Sequence, residues 1–298
     1  MVTDAAYAAC IRLASSHYEN FPVASRLMPR AARPHIAAIY AFARTADDFA
    51  DEGSRSDAER ITALEVWQWR LRQAAEGRVE QDGSDAALIF TALADTIRRF
   101  DLEVQLFEDL LSAFCQDVLV KRYETWSDLI DYCRRSAAPI GRLVLRVCGY
   151  RDARLDSQSD AICHALQLTN FWQDIGVDWA KGRVYVPREL SETTGAAEES
   201  LAAGEWTPEW ESALRDAVFR TRELFAAGRP LPDQVRGRLR YELRATWLGG
   251  MRILDKLERR RFDALNHRPT LRWHDAVGIL VGTLRWRMPP RQDLSLAR

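Results

Sequence analysis

Residues 40–52 read YAFARTADDFADE, and residues 167–178 read QLTNFWQDIGVD. Both stretches lie in segments whose apolar residues recur at helical spacing. On a helix, residues three and four apart share a face. Asp47, Asp48 and Asp51 therefore form one acidic cluster, with Arg44 one turn upstream and Tyr40 two turns upstream. This cluster is the first of two acidic motifs.

The second acidic motif is a ladder at i, i+4 and i+8, formed by Asn170, Asp174 and Asp178. Gly53 follows the first motif and Gly182 follows the second, so both sets of acids lie near the carboxyl end of a helix. Acidic side chains at that end oppose the helix dipole. One acidic run is usually a solvated face, but two that share this unfavourable placement favour a metal site. If the two faces meet across a cleft, they can hold divalent cations that in turn hold a diphosphate.

The chain as a whole has ordinary globular composition. It has 298 residues, 47% of them hydrophobic, and a formal net charge of -1, which argues against a nucleic-acid partner. No membrane span or secretion signal is evident, and five scattered cysteines indicate buried thiols in a reducing compartment. We therefore expect a cytoplasmic protein, with peripheral contact to the inner membrane or to sister pathway enzymes left open. Lysine occurs only at Lys121, Lys181 and Lys256.

Helical periodicity dominates the sequence and predicts an all-α fold, with one domain over residues 1–298. Pro34 suits a first helical turn, and Asp156 or Ser157 is expected to cap the helix that carries the second motif. The only strand candidate is the short run from Arg183 to Pro187. Residues 190–206 are expected to form a surface loop with short helical pieces. The predicted helices are 4–18, 34–52, 57–76, 84–99, 103–121, 126–149, 156–179, 208–227, 232–262 and 271–285.

The acidic ladders suit several Mg²⁺ ions around one diphosphate, because Mg²⁺ prefers carboxylate oxygens and substrate phosphates. Arg44, Lys181, Arg183 and Tyr185 can reach the same phosphates, and arginine clamps phosphate oxygens in a bidentate way. Arg44 can equally neutralise Asp47 and Asp48. A carbocation left by diphosphate departure needs aromatic walls. The candidates on the same helices are Phe42, Phe49, Phe171 and Trp172, although such aromatics are more often plain core.

These motifs resemble the squalene/phytoene synthases over residues 15–265. The resemblance lies in Arg44-x-x-Asp47-Asp48-x-x-Asp51, in Gln167-x-x-Asn170-x-x-x-Asp174-x-x-x-Asp178 and in Gly182-Arg183-x-Tyr185-x-Pro187. It implies a single all-α domain of the isoprenoid-synthase type with a central active-site cavity. It also implies two or three Mg²⁺ ions that bridge a prenyl diphosphate. The implied metal-binding residues are Asp47, Asp48, Asp51, Asn170, Asp174 and Asp178, and the implied catalytic residues are Asn20, Phe21, Tyr40, Arg44, Tyr132, Gln167 and Gln173.

Two further stretches resemble the hydroxysqualene synthase branch of the hopanoid pathway. They are Glu19–Ser25 with the following Leu27-Met28-Pro29, and Tyr132–Gly141. Members of that branch ionise presqualene diphosphate, rearrange the cation and capture water. No glycine-rich dinucleotide fingerprint follows a strand, so we expect water rather than hydride from NADPH as the quench.

Some positions depart from the family pattern. Carotenoid-type members have a Ser-x-Ser-Phe flap that contacts diphosphate, and the corresponding residues here are Tyr18-Glu19-Asn20-Phe21. The loss of both serines predicts a weaker contact with diphosphate, which suits a substrate that carries one diphosphate. Arg134 and Arg135 are candidates to bind phosphate or water. Gly250 replaces a tyrosine, which predicts a wider pocket or room for a water.

Three alternatives stay open at this point. The first is a presqualene diphosphate, squalene or phytoene synthase that condenses two prenyl diphosphates. The second is a chain-elongating prenyltransferase, although that class has an Asp-Asp-x-x-Asp in its second motif and this chain does not. The third is a non-catalytic binding or assembly protein with the same fold. Trp206 and Trp210 could face lipid, but we expect them to cap a core.

Overall fold

The computed structural model describes residues 2–16, 27–80 and 82–286. Within these ranges the chain forms helices and no strand, which confirms the predicted all-α class. The candidate strand at 183–187 is instead extended chain with an isolated parallel β-bridge between Arg122 and Val184. The helices are α1 Val2–Ser16, α2 Arg33–Asp51, α3 Asp57–Ala75, α4 Asp85–Phe100, α5 Val104–Leu119, α6 Trp126–Ser136, α7 Ala138–Val147, α8 Ala153–Gln173, α9 Ile175–Ala180, α10 Arg188–Thr194, α11 Glu198–Ala202, α12 Pro208–Gly228, α13 Leu231–Gln234, α14 Gly237–Arg259 and α15 Trp273–Leu284.

Three predicted helices are divided in the structure. The predicted helix 126–149 breaks at Ala137, because Pro139 has no amide to continue the helical hydrogen bonds and restricts the residue before it. The predicted helix 156–179 begins earlier and breaks at Asp174, whose backbone leaves helical geometry. The predicted helix 232–262 splits because the backbone of Val235 and Arg236 is extended, with ψ angles of 164° and 167°.

The cap of α8 also differs from the prediction. The Asp152 side chain accepts hydrogen bonds from the amides of Arg154 and Leu155, whereas Asp156 lies inside the first turn. Pro34 occupies the first turn of α2 as expected. Residues 190–206 carry the two short helices α10 and α11.

The helix α8 carries Asn170 of the second acidic motif and lies among α7, α12 and α14. Two glycines let its neighbours approach closely. A Cβ at Gly228 would lie 2.4 Å from Cγ1 of Ile162, and a Cβ at Gly250 would lie 3.0 Å from Cδ2 of Leu166. The backbone that presents Asn170 is thus fixed by tight packing.

Two clusters of buried apolar side chains support the fold, and they share Leu166 and Trp247 at their boundary. The first cluster surrounds α2, and the second lies around α8 and α12. The two acidic motifs therefore stand on different parts of the core. The extent of the domain over residues 1–298 stays a prediction.

Candidate active site

The first acidic motif lies in the last turns of α2, as predicted. The Arg44 guanidinium contacts Asp48 at 2.6 Å, Glu52 at 2.8 Å and Asp47 at 3.4 Å. Arg44 thus neutralises its own helix face in this structure. Half-buried Tyr40 lies one turn upstream of Arg44.

The end of α2 is stabilised by a residue that the sequence did not reveal. The Arg60 guanidinium on α3 donates to the carbonyl oxygens of Ala50 at 2.7 Å, Gly53 at 3.0 Å, and Phe49 and Glu52 at 3.2 Å. A cation on the last carbonyls offsets the unfavourable dipole position of the acids. The fold therefore holds carboxylates where a free helix would disfavour them.

The segment that follows the second motif reaches the first motif directly. Gly182, with a φ of 75°, turns the chain back after α9, and the Arg183 amide donates to the Asp178 carbonyl at 2.8 Å. The Arg183 guanidinium then binds both carboxylate oxygens of Asp51, at 3.0 and 2.5 Å. Lys181 Nζ lies 3.5 Å from the same carboxylate. The structure thus brings Asp51, Lys181 and Arg183 together from distant parts of the sequence.

The second motif spans the break between α8 and α9. The Asn170 amide donates to Asp174 Oδ2 at 2.7 Å, and Arg268 binds both oxygens of the same carboxylate. Half-buried Gln167 lies three residues before Asn170 and shares its face. The Gln173 side-chain amide donates to the Pro269 carbonyl at 2.7 Å, next to the Arg268 that binds Asp174.

The acids within each motif crowd one another. Burial and the neighbouring Asp51 carboxylate raise the pKa of Asp47 to about 6. Burial and the Asp174 carboxylate raise the pKa of Asp178 to about 7. Such crowding of negative charge is what a bound cation relieves.

The acids fit a metal by their chemistry, although their present arrangement is one of ion pairs. In the described part of the chain, no three histidine, cysteine, aspartate or glutamate side chains lie together closely enough to enclose an ion. Arginine and lysine side chains hold several of the carboxylates instead. The carboxylate and amide oxygens are nonetheless the ligands that Mg²⁺ prefers. The metal-binding role of each residue stays a prediction.

An aromatic cluster lies behind the Asp51–Arg183 pair. The Tyr185 ring stacks on Phe171 with centroids 3.7 Å apart, and both rings lie within 6.3 Å of the Tyr132 ring. Tyr123, which the sequence did not single out, stacks on Tyr185 at 5.8 Å. Tyr185 is thus mostly enclosed by rings.

Other predicted aromatics belong to the core. Phe42 is fully buried and packs against Trp67 and Phe107. Trp172 is also fully buried, and its indole donates to Thr221. The structure therefore assigns both side chains to packing.

Phe49 and the C-terminal tryptophans likewise have structural contacts. Phe49 packs edge-on against Trp67. The expectation that Trp206 and Trp210 cap a core is confirmed, since Trp210 is 1% exposed and the two rings stack.

Asp117 is a buried acid that sequence reasoning missed. Its Oδ2 accepts a 2.7 Å hydrogen bond from the Tyr132 hydroxyl, and its carbonyl accepts bonds from Lys121 and Arg183. Within the described residues, its Oδ1 is buried without a hydrogen-bond partner. Burial raises the pKa of Asp117 to about 7. Its sequence signal is weak, because an acid near the end of an apolar helix is common.

One expectation about departures from the family pattern is wrong. Gly250 opens no pocket, because a Cβ there would already lie 2.4 Å from Cζ of Phe225. Arg134 and Arg135 both pair with Asp131, and Arg135 also binds Ser112, and their binding of phosphate or water stays a prediction. Asn20 and Phe21 lie outside the described residues.

A surface cleft lies elsewhere on the molecule. It has a volume of about 340 Å³ between α3 and α4, and Trp69, Arg70 and Phe90 line it. Neither acidic motif contributes to this cleft. It is therefore not the candidate site.

All five cysteines are free thiols, and each is buried or half-buried.

In residues 2–16, 27–80 and 82–286, no helix is both long and apolar enough to cross a bilayer.

Comparison with known proteins places this arrangement in a family. The model of the squalene/phytoene synthase family matches residues 14–275. Hydroxysqualene synthase of Sinorhizobium fredii is 37% identical over 227 residues, which is 76% of this chain and 74% of the relative. Hydroxysqualene synthase of Rhodopseudomonas palustris is 35% identical over 256 residues, which is 85% and 84%. The crystal structure of a squalene synthase from Alicyclobacillus acidocaldarius is similar, with a TM-score of 0.81, 39% identity and coverage of 87% of this chain and 95% of that one. The chain belongs to the squalene/phytoene synthase family.

Proposed function

We propose that this protein converts presqualene diphosphate and water into hydroxysqualene and diphosphate. The observation that carries the proposal is the contact between Arg183 and Asp51, which brings the segment after the second acidic motif onto the first motif. The similarity to two hydroxysqualene synthases supports this branch of the family. The use of presqualene diphosphate as the substrate and the capture of water are both part of this proposal.

The cationic side chains would bind the diphosphate. Arg44, Lys181 and Arg183 now pair with carboxylates of the first motif, so an incoming phosphate competes with those carboxylates for the same donors. Arginine can satisfy a carboxylate and a phosphate at once because its donors form a fork. Tyr185 and Tyr40 border this group and would help to position the substrate.

Mg²⁺ would be held between the two motifs, and when bound it would neutralise the charge of the leaving diphosphate. The residues that would hold it are Asp47, Asp48, Asp51, Asn170, Asp174 and Asp178, of which Asp48 is now paired with Arg44. The crowding of Asp47 and Asp178 supports this assignment, since like charges at short range favour a cation.

The reaction breaks the C–O bond to diphosphate, and the electron pair leaves with the diphosphate. The resulting cation rearranges, water adds to it through a new C–O bond, and one proton is released. The aromatic faces of Phe171 and Tyr132 would stabilise the positive charge and exclude bulk water. Gln167 lies on the face of Asn170 and would orient the substrate. Gln173 is tied to Pro269 and would act through that loop.

Product analysis tests this proposal. Purified protein is incubated with Mg²⁺ and either presqualene diphosphate or farnesyl diphosphate, without NADPH, and the products are identified by mass spectrometry. We expect hydroxysqualene from presqualene diphosphate and no product from farnesyl diphosphate. Head-to-head condensation of the farnesyl substrate would instead make the protein a presqualene diphosphate or squalene synthase, a group that the family also includes.

A further inference from the structure

The last described helix, α15, exposes its large apolar side chains and buries polar ones, which is the reverse of an ordinary surface helix. Its polar residues Asp275 and Thr283 are buried. Its large apolar side chains point outward, with Trp273 80%, Leu280 58% and Leu284 69% exposed. Residues 273, 277, 280, 281 and 284 follow helical spacing, so they form one continuous apolar face. We call these five residues the α15 face.

Specific contacts with α14 fix this orientation. The Asp275 carboxylate binds Arg252 Nε at 2.8 Å and also binds the Lys256 ammonium. Gly282 lies against Leu248, since a Cβ there would be 3.0 Å from Cδ1 of that leucine. Rotating the helix to bury its apolar face would strand the Asp275 charge without its partners, which is costly. The outward apolar face is therefore part of the fold.

Along the chain around α15, the exposed charges have one sign. From residue 264 to residue 286 the only acidic residue is Asp275, which is buried and paired. Arg272 and Arg285 flank the helix at its two ends and are exposed. A second copy of the chain would bring like charges together across a symmetric interface, which disfavours that partner.

We propose that the α15 face docks on an anionic lipid bilayer, with the helix lying in the plane of the membrane surface. An apolar face flanked by arginine, with tryptophan at its edge, is typical of helices that bind at such an interface. This inference extends beyond the proposed reaction and does not require it.

The α15 face lies close to the second acidic motif along the chain, so docking on a bilayer would bring that motif near the lipid. Arg268 binds Asp174 of the second motif, and Trp273 follows five residues later. Five residues span at most about 18 Å when fully extended. A bilayer that contacts Trp273 would thus lie beside the site, where an insoluble isoprenoid product could pass directly into lipid.

Vesicle binding without any substrate tests the inference, so its result is independent of catalysis. Full-length protein is sedimented with vesicles of phosphatidylcholine alone, or of phosphatidylcholine mixed with phosphatidylglycerol. We expect binding to the mixed vesicles that weakens with added salt. Leu280→Asp should lower the partition coefficient at least about tenfold, because burial of one such side chain contributes about 1.5–3 kcal/mol. Arg285→Glu should weaken binding to the anionic vesicles selectively.

The matched control is Phe219→Asp, which alters a side chain on α12 that is 60% exposed and remote from α15 in sequence. It should leave vesicle binding unchanged. No sedimentation of the wild type with anionic vesicles would overturn the inference, as would equal losses in Leu280→Asp and Phe219→Asp. A dimer in light scattering that Leu280→Asp dissociates would assign the face to a second copy instead, and would also overturn it.

Discussion

Removal of the Arg183 guanidinium should destabilise the protein because it leaves Asp51 without its main partner. The Arg183 side chain is 10% exposed and makes two hydrogen bonds to a carboxylate that is 22% exposed. Removing one partner of a fully buried pair costs about 3–5 kcal/mol. Lys181 stays 3.5 Å from Asp51 and water reaches part of it, so we expect about 2–3 kcal/mol for Arg183→Met. Burial raises the pKa of Asp51, but Arg183 and Lys181 together hold it below its usual value, and the variant should lose part of that lowering.

The assay is equilibrium urea unfolding without divalent ions, at a pH where Asp51 is ionised. Arg215→Met is the control, because Arg215 pairs with Glu211 at the surface and should contribute about 0.5 kcal/mol or less. The double variant Asp51→Asn/Arg183→Met should be more stable than additive effects predict, by about 1–3 kcal/mol. Additivity within about 0.5 kcal/mol would show that the two residues are not energetically coupled, and the reasoning would fail.

Three further results are expected. Asp178→Asn should reduce turnover by about a hundredfold or more but stabilise the ion-free protein. The pKa of Asp178 in the folded protein is about 7, which exceeds its value in the unfolded chain. In urea unfolding, the stability of the wild type should therefore fall relative to that of the variant as pH rises from about 4 to about 7. Gly250→Ala should lower the free energy of unfolding by about 1–2 kcal/mol through overpacking. The control Gly249→Ala, whose new Cβ would lie 3.7 Å from Cδ1 of Leu271, should be neutral or stabilising. Tyr132→Phe should lower the free energy of unfolding by about 1–3 kcal/mol at pH 8, because it leaves the buried Asp117 carboxylate without its hydroxyl donor. The loss should be smaller at pH 5.5, where the Asp117 carboxyl is protonated. Equal losses at both pH values would contradict this reasoning.

The helical class and the make-up of each acidic face were predictable from the sequence because they depend on local spacing, and the family was predictable from the motifs. Asp47, Asp48 and Asp51 share a face wherever a helix forms, and Arg44 necessarily lies beside them. The contact of Arg183 with Asp51 was not predicted, because the sequence indicated Arg183 only as a phosphate-binding residue and the contact joins positions 132 residues apart.

Features that depend on packing between distant segments were not predictable from spacing. Arg60 caps α2 only because α3 folds back onto it, and Arg268 reaches Asp174 only because the loop after α14 returns to α8. Gly250 was misread because the sequence does not show that Phe225 fills the space of a missing side chain. The outward face of α15 was also missed, since an apolar helix is ordinarily assigned to the core.

Because the chain has only three lysines, chemical labelling of their amines reports on three defined places in the structure. Lys121 binds the Asp117 carbonyl, Lys181 lies beside Asp51, and Lys256 binds the Asp275 carboxylate of α15. An amine-reactive label, read by peptide mass spectrometry, would therefore sample these places without any substitution. Lys181, with a side chain 54% exposed, should react faster than Lys256, at 17%. Protection of Lys181 would register occupancy of the diphosphate site, and exposure of Lys256 would register release of the C-terminal helix.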